Sequence, residues 1–273
     1  MLGLPTITTT QSLFGGNNFA FAGARLVGGG LPTLIQQAVA NRQLGNILAP
    51  GVLPNFAPIT SFDPNALYVV VGGGNDMRDA RTAFGSNSLT DQTGRQAAAV
   101  AAVTSLTQTV GYLASHGAKN VLISNIPDLG YTPEAVLLGL QAASSDATSR
   151  FNALLPSIFG LETLIPGLNI ELLDMAGVSA TVRNNPGAYG IANTFLPCDG
   201  FTGSDALVGF GIGPFACNVS SFSDALHPSA RSHQLIAEAA FHLVPEPTSL
   251  ALFGLAFAGL VWAQRRKVAV RAV

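Results

Sequence analysis

The chain has 273 residues, of which 48% are hydrophobic and only 10% are charged. Ordinary soluble domains are about 25% charged, so this composition excludes intrinsic disorder and indicates a large apolar core. The formal net charge of −2 provides no basic surface for nucleic acid, and no Cys/His cluster has zinc spacing. We therefore expect no nucleic-acid partner, no metal and no cofactor.

Apolar segments and helical patterns alternate along the first two thirds of the chain. Buried strands are predicted at 66–71, 120–126 and 169–175 because each is a short, largely β-branched or aliphatic run. Helical spacing predicts one helix from Asp91 to His116 and another over 133–155. This order is typical of an α/β sheet whose parallel strands are joined by helical crossovers.

Residues 184–222 are rich in Gly, Pro, Asn and Asp and are predicted to be irregular. Cys198 and Cys217 lie in this segment, where they would form a disulfide in an exported protein or remain buried thiols in the cytosol. Four phenylalanines of the same region either line an acyl site or anchor the loop: Phe195, Phe201, Phe210 and Phe215. A last helix is predicted over 229–244.

The C-terminal tail differs in kind from the rest of the chain. An apolar run over 250–263 is followed directly by Arg265, Arg266 and Lys267. At 1.5 Å per residue the run reaches about 21 Å, which suits a buried helix better than a full membrane span. The basic cluster, however, favours a membrane segment with cytoplasmic positive charge. We divide the chain into a domain over 1–243 and a tail over 244–273.

Two short motifs could support catalysis. Gly73-Gly74-Asn75-Asp76 follows the first predicted strand, where α/β proteins bind ligands, and the Asn75 amide can donate to an oxyanion. A plain turn is the alternative. Asp224 and His227 are three residues apart before a helix, so the carboxylate could orient the imidazole as a general base. The other three histidines, His116, His233 and His242, are interpreted as structural.

Three segments together resemble the SGNH hydrolases, also called the GDSL esterase/lipase family. Asn18-Phe19-Ala20-Phe21-Ala22-Gly23 is similar to the family's second block, Gly73 to Asp76 to the third, and Asp224 to His227 to the fifth. The resemblance implies a three-layer, flavodoxin-like, mostly parallel sheet. It also implies an oxyanion hole made by Gly23 and Asn75, with His227 as base and Asp224 as its orienting residue.

The family's first block, Gly-Asp-Ser-Leu, has no match in this chain. Ser12 lacks the preceding Gly-Asp and is interpreted as a turn serine. No signal peptide follows Met1. We therefore expect that the chain lacks its first strand and its nucleophile, and is inactive as written. The alternatives are a binding protein of the cell surface or matrix that uses the same fold, or a product that does not fold stably.

The tail resembles the PEP-CTERM sorting signal of bacteria. Pro245, Glu246 and Pro247 would be recognised by an exosortase, and 250–263 would anchor the protein in the membrane before its release to the cell surface or exterior. Taken together, the sequence predicts an exported serine esterase or lipase acting on carboxylic esters. The identity of the ester stays open.

Overall fold

The computed structural model describes residues 20, 23–28, 33, 35, 61–198, 216–243 and 257. The chain divides into two compact units, Met1–Ile236 and Ala237–Val273. Ser12, the Pro245-Glu246-Pro247 motif and the apolar run 250–263, apart from the exposed helical residue Phe257, lie outside the described residues. The predictions made for them are not addressed by the fold.

A parallel three-stranded sheet lies at the centre of the first unit. Its strands are β1 (Leu67–Val70), β2 (Asn120–Ser124) and β3 (Asn169–Leu173), hydrogen-bonded in that order. Each strand is followed by a helical crossover, which is why strands adjacent in the chain can pair in parallel. The predicted α/β class with a mostly parallel sheet is confirmed.

Helices occupy most of the remaining described chain: α1 (Gly74–Ala83), α2 (Leu89–Ser115), α3 (Pro133–Leu137), α4 (Gln141–Leu154), α5 (Gly160–Leu164), α6 (Met175–Asn184) and α7 (Ala230–Leu243). Ser88 caps α2 by accepting a hydrogen bond from Asp91 N at 3.1 Å. Gly117 ends it with φ of 110°. In the described part of the chain α2 is the helix long and apolar enough to span a membrane, but half of that window is buried, as in a core helix.

The prediction of one helix over 133–155 is wrong. The chain forms α3 and α4 instead, because Gly139 adopts a positive φ of 65° between them. The irregular segment predicted over 184–222 is also wrong in part. It contains β4 (Asn193–Pro197) and β5 (Ser220–Phe222), which pair in parallel as a separate two-stranded sheet. Cys198 and Cys217 form a disulfide beside this sheet.

The hydrophobic core packs α2 and α4 against one face of the sheet. Leu106, Phe151 and Ile123 are fully buried in it, together with Ala99 and Ala102 of α2. The prediction that β1 is buried on both faces is wrong. Tyr68 and Val70 pack toward the core, whereas the exposed fractions of Leu67, Val69 and Val71 are 43%, 59% and 50%.

Candidate active site

Asn75 lies in the first turn of α1, directly beyond the carboxyl end of β1. The loop predicted at this position is therefore mostly helix, and only Gly73 departs from helical geometry, with φ of 104°. A β carbon at Gly73 would lie 2.6 Å from Phe151 Cε2, so the backbone here needs glycine. Asn75 Nδ2 donates a hydrogen bond to the carbonyl of Ala24 at 2.9 Å. This contact fixes the Asn75 amide beside the segment that contains Gly23.

The Asp76 side chain also binds the segment that contains Gly23. Its buried carboxylate accepts hydrogen bonds from Leu26 N at 2.9 Å and from Val27 N at 3.0 Å. Burial raises the pKa of Asp76, and the two backbone donors only partly offset that effect. Asp76 belongs to the Gly73–Asp76 motif, but the motif alone predicts no role for it. Its pairing with residues 50 positions earlier has no local sequence signal.

Side-chain hydrogen bonds fix Gly23 and the residues that follow it. It adopts a positive φ of 76°, and its carbonyl accepts a hydrogen bond from Arg25 Nη1 at 3.0 Å. Arg25 is in turn paired with Asp79 of α1 through two nitrogens. Ser105 of α2 donates to Leu26 O at 2.6 Å. The structure thus brings Gly23 and Asn75, both predicted as oxyanion donors, into one hydrogen-bonded assembly.

Asp224 and His227 form the second group of predicted residues. Asp224 Oδ2 lies 2.6 Å from His227 Nδ1, and its other oxygen accepts the backbone N–H groups of Leu226 and His227 at 2.7 and 2.6 Å. Burial opposes ionisation of Asp224, but the hydrogen bonds from His227 and Leu226 outweigh it and lower the pKa. The carboxylate is buried, whereas 58% of the imidazole surface is exposed. This is the geometry of an oriented general base.

The loop of Asp224 and His227 connects to the rest of the site through α3. Glu134 N donates to Ala225 O at 2.8 Å, and Ser223 N donates to His227 O at 2.9 Å. With Nδ1 engaged by Asp224, Nε2 is the ring nitrogen able to take a proton from a nucleophile. Among the residues that the structure describes, no serine hydroxyl hydrogen-bonds to this ring.

The other histidines are in or next to helices. His116 follows the end of α2 and its Nδ1 lies 2.8 Å from Tyr112 O. His233 lies in α7 with Nδ1 2.9 Å from Ser229 O. His242 lies near the end of the same helix. His116 and His233 thus make contacts to backbone carbonyls that are typical of structural histidines.

A cavity of about 400 Å³ opens beside α3, the short helix that contacts the His227 loop. Its lining is Gly130, Tyr131, Val136, Gln141, Ala142, Ser145 and Phe195. Of the four phenylalanines considered for an acyl site, Phe195 lines this cavity, and Phe201, Phe210 and Phe215 lie outside the described residues. The cavity is large enough for a short apolar group.

Comparison with known proteins adds two matches of different kinds. The family described as GDSL-like Lipase/Acylhydrolase matches residues 2–240. The PEP-CTERM protein-sorting motif matches residues 243–267. This motif marks a bacterial exported protein that a C-terminal segment holds at the membrane, and it implies recognition by an exosortase-type enzyme. The sorting signal expected from the sequence is therefore confirmed.

Curated relatives include esterases. Esterase EstA of Pseudomonas aeruginosa and Esterase EstA of Pseudomonas putida are each 32% identical over 197 residues. A P. putida protein described as uncharacterized, from the trpE-trpG intergenic region, is 30% identical over 196 residues. Each alignment covers 70% of this chain but only 28 to 30% of the relative, so the chain spans less than a third of their length. The chain belongs to the GDSL-like lipase/acylhydrolase family.

Proposed function

We propose that this protein hydrolyses carboxylic esters by a Ser-His-Asp mechanism, with His227 as general base and Asp224 as its orienting residue. Gly23 N–H and the Asn75 side-chain amide stabilise the oxyanion. The observation that carries the proposal is the buried Asp224 carboxylate, bound to His227 at Nδ1 and to two backbone N–H groups of the same loop. Membership of the family and the two esterase relatives support ester substrates.

The steps follow from the roles of these groups. A serine hydroxyl attacks the ester carbonyl carbon while His227 Nε2 takes its proton, and the carbonyl oxygen becomes an oxyanion. The imidazolium then gives that proton to the departing alcohol, leaving an acyl-serine. Water attacks the acyl group in the same way and releases the acid. Asn75 and Gly23 contribute because their donors are fixed before the charge develops.

The nucleophilic serine is the part of the mechanism that the described residues do not supply. We propose that it lies on a strand paired with the outer edge of β1. Support comes from the place of β1 at one edge of the sheet among the described strands, and from the exposed side chains of Leu67 and Val69 on β1. Strands of parallel sheets are normally covered on both faces, so an apolar strand exposed to water indicates a neighbouring element.

Active-site labelling and kinetics test this proposal. A fluorophosphonate probe should label one serine of the intact protein, and peptide mapping should place it outside residues 61–198 and 216–243. On a short acyl ester, Asn75→Ala should lower kcat by about 10² to 10³ with little change in the free energy of unfolding. His227→Ala should abolish labelling, and His242→Ala serves as the matched control. A wild-type protein that is neither labelled nor active would favour the binding-protein alternative.

The cavity lined by Tyr131, Val136 and Phe195 is proposed to receive the apolar part of the ester, since it opens beside the helix that contacts the His227 loop. For the tail we propose that the exosortase recognises Pro245, Glu246 and Pro247. The segment 250–263 then anchors the protein in the membrane until it reaches the cell surface or exterior.

A further inference from the structure

A buried cluster of charges lies between the two groups of the active site. Arg81 is fully buried, the Glu134 side chain is 6% exposed, and each pairs with the other. Arg78 approaches the same carboxylate from the protein surface, with Nε 3.1 and 3.0 Å from the two Glu134 oxygens. Arg81 Nη1 also donates to Ser144 Oγ at 3.0 Å. Two guanidinium groups therefore hold one carboxylate.

The position of this cluster relates it to catalysis. Arg78 and Arg81 follow Asn75 on α1 by one and two helical turns, so the helix that holds the oxyanion donor also holds both cations. Glu134 is the second residue of α3, and its backbone N–H donates to Ala225 O at 2.8 Å. Ala225 lies between Asp224 and His227 in the chain. A single residue thus contacts α1 with its side chain and the catalytic loop with its backbone.

We infer that Glu134 is a positioning residue, which fixes the Asp224–His227 loop relative to the helix that contains Asn75. The inference rests on the proposed function. Catalytic groups must be held within about 0.5 Å of their productive geometry, and the hydrogen bond from Glu134 N to Ala225 O joins this loop to α3. Stability alone is a weak reason for such a cluster, because apolar replacements of buried ion pairs are often neutral or stabilising.

Arg78→Ala is the variant that tests this role while Glu134 keeps a cationic partner. The Arg78 side chain is 40% exposed, and Arg81 would still neutralise Glu134. Glu134→Gln would instead leave two guanidinium groups around a neutral amide and could unfold the protein. The chain offers a matched control in Asp146, which is paired with the buried Arg95 and with the half-buried Arg150. Arg150→Ala removes the equivalent outer cation from a cluster within α2 and α4.

Two measurements, amide hydrogen exchange and the kinetics of ester hydrolysis, are made on the full chain. Amide hydrogen exchange should speed up about tenfold or more at Glu134 and across 223–227 in Arg78→Ala, and stay within about twofold in Arg150→Ala. The kcat for the short acyl ester should fall about tenfold in Arg78→Ala with KM within about twofold, because the loop is displaced while the substrate site is kept. Arg78→Lys should recover part of both losses.

The outcomes separate the two proposals. Equal exchange in the 223–227 loop of Arg78→Ala and Arg150→Ala would overturn the inference, and so would a fall in kcat without faster exchange. If the wild-type protein has no esterase activity but the loop exchanges faster only in Arg78→Ala, the proposed function fails while Glu134 still positions the loop. If Arg78→Ala lowers overall stability more than its control, Arg78→Lys and Arg150→Lys replace the pair.

Discussion

Gly73 is the position at which a single methyl group should disturb both the fold and the site. Its φ of 104° is unfavourable for any residue with a β carbon, and the added carbon would lie 2.6 Å from Phe151 Cε2, which is fully buried. The left-handed backbone costs about 1 to 2 kcal/mol for a residue other than glycine. Overpacking of a closed core costs about 1 to 3 kcal/mol more. Gly73→Ala should therefore destabilise the protein by about 2 to 5 kcal/mol.

The neighbouring Gly74 provides the control for this prediction. A β carbon at Gly74 would have no atom within 4 Å and lies at the start of α1, so Gly74→Ala should change stability by less than about 1 kcal/mol. Urea unfolding of both variants measures the difference, and an unchanged slope would show that only stability moved. Adding Phe151→Leu should restore part of the loss in Gly73→Ala. Equal midpoints for Gly73→Ala and Gly74→Ala would refute the steric argument.

Three further predictions concern the hydrogen bonds of Asp76, the Cys198–Cys217 disulfide and the ionisation of Asp224. Asp76→Ala leaves the buried Leu26 N–H without its partner and should cost about 1 to 3 kcal/mol in urea unfolding, whereas the exposed Asp79→Ala should cost no more than about 1 kcal/mol. Opening the disulfide by Cys198→Ser should cost about 3 kcal/mol for a sequence separation of 19, and reductant should destabilise the wild type but not the variant. Asp224 has a lowered pKa, so its stabilisation is complete well above the usual 3.8 and is lost as pH falls through the folded value. The deficit of Asp224→Asn should thus be larger at about pH 6 than at pH values below the usual 3.8, and an equal deficit in both ranges would contradict this.

The elements that were predicted correctly are those with strong local patterns. The strand at 120–126 could be predicted because it is a short, continuous aliphatic run. The helix at 91–116 could be predicted because apolar residues recur in it at helical spacing and a glycine follows it. The split between α3 and α4 was missed, since the surrounding residues favour helix and the break depends on a single glycine, Gly139. β4 and β5 were missed because they are short and pair although they are far apart in the chain.

The residues of the candidate site differ in the same respect, since only some of them belong to local motifs. Asn75, Asp224 and His227 could be proposed from the sequence because each belongs to a short contiguous motif. Glu134 and Asp76 could not, because their roles come from contacts with residues 50 or more positions away in the chain. Only the fold brings such partners together, and no periodicity or spacing in one sequence encodes them.

The place of β1 at one edge of the described sheet and the position of Asn75 beyond its end bear on where a nucleophile could lie. Parallel strands place their carboxyl ends at one edge of the sheet and lie about 4.8 Å apart. A residue at the end of a strand paired with the outer edge of β1 would therefore lie about one strand spacing from Val70, the last residue of β1. The chain reaches Gly73 three residues beyond Val70, and α1 begins at Gly74 with Asn75 in its first turn. A nucleophile at the end of such a strand would thus be at the same edge of the sheet as Asn75.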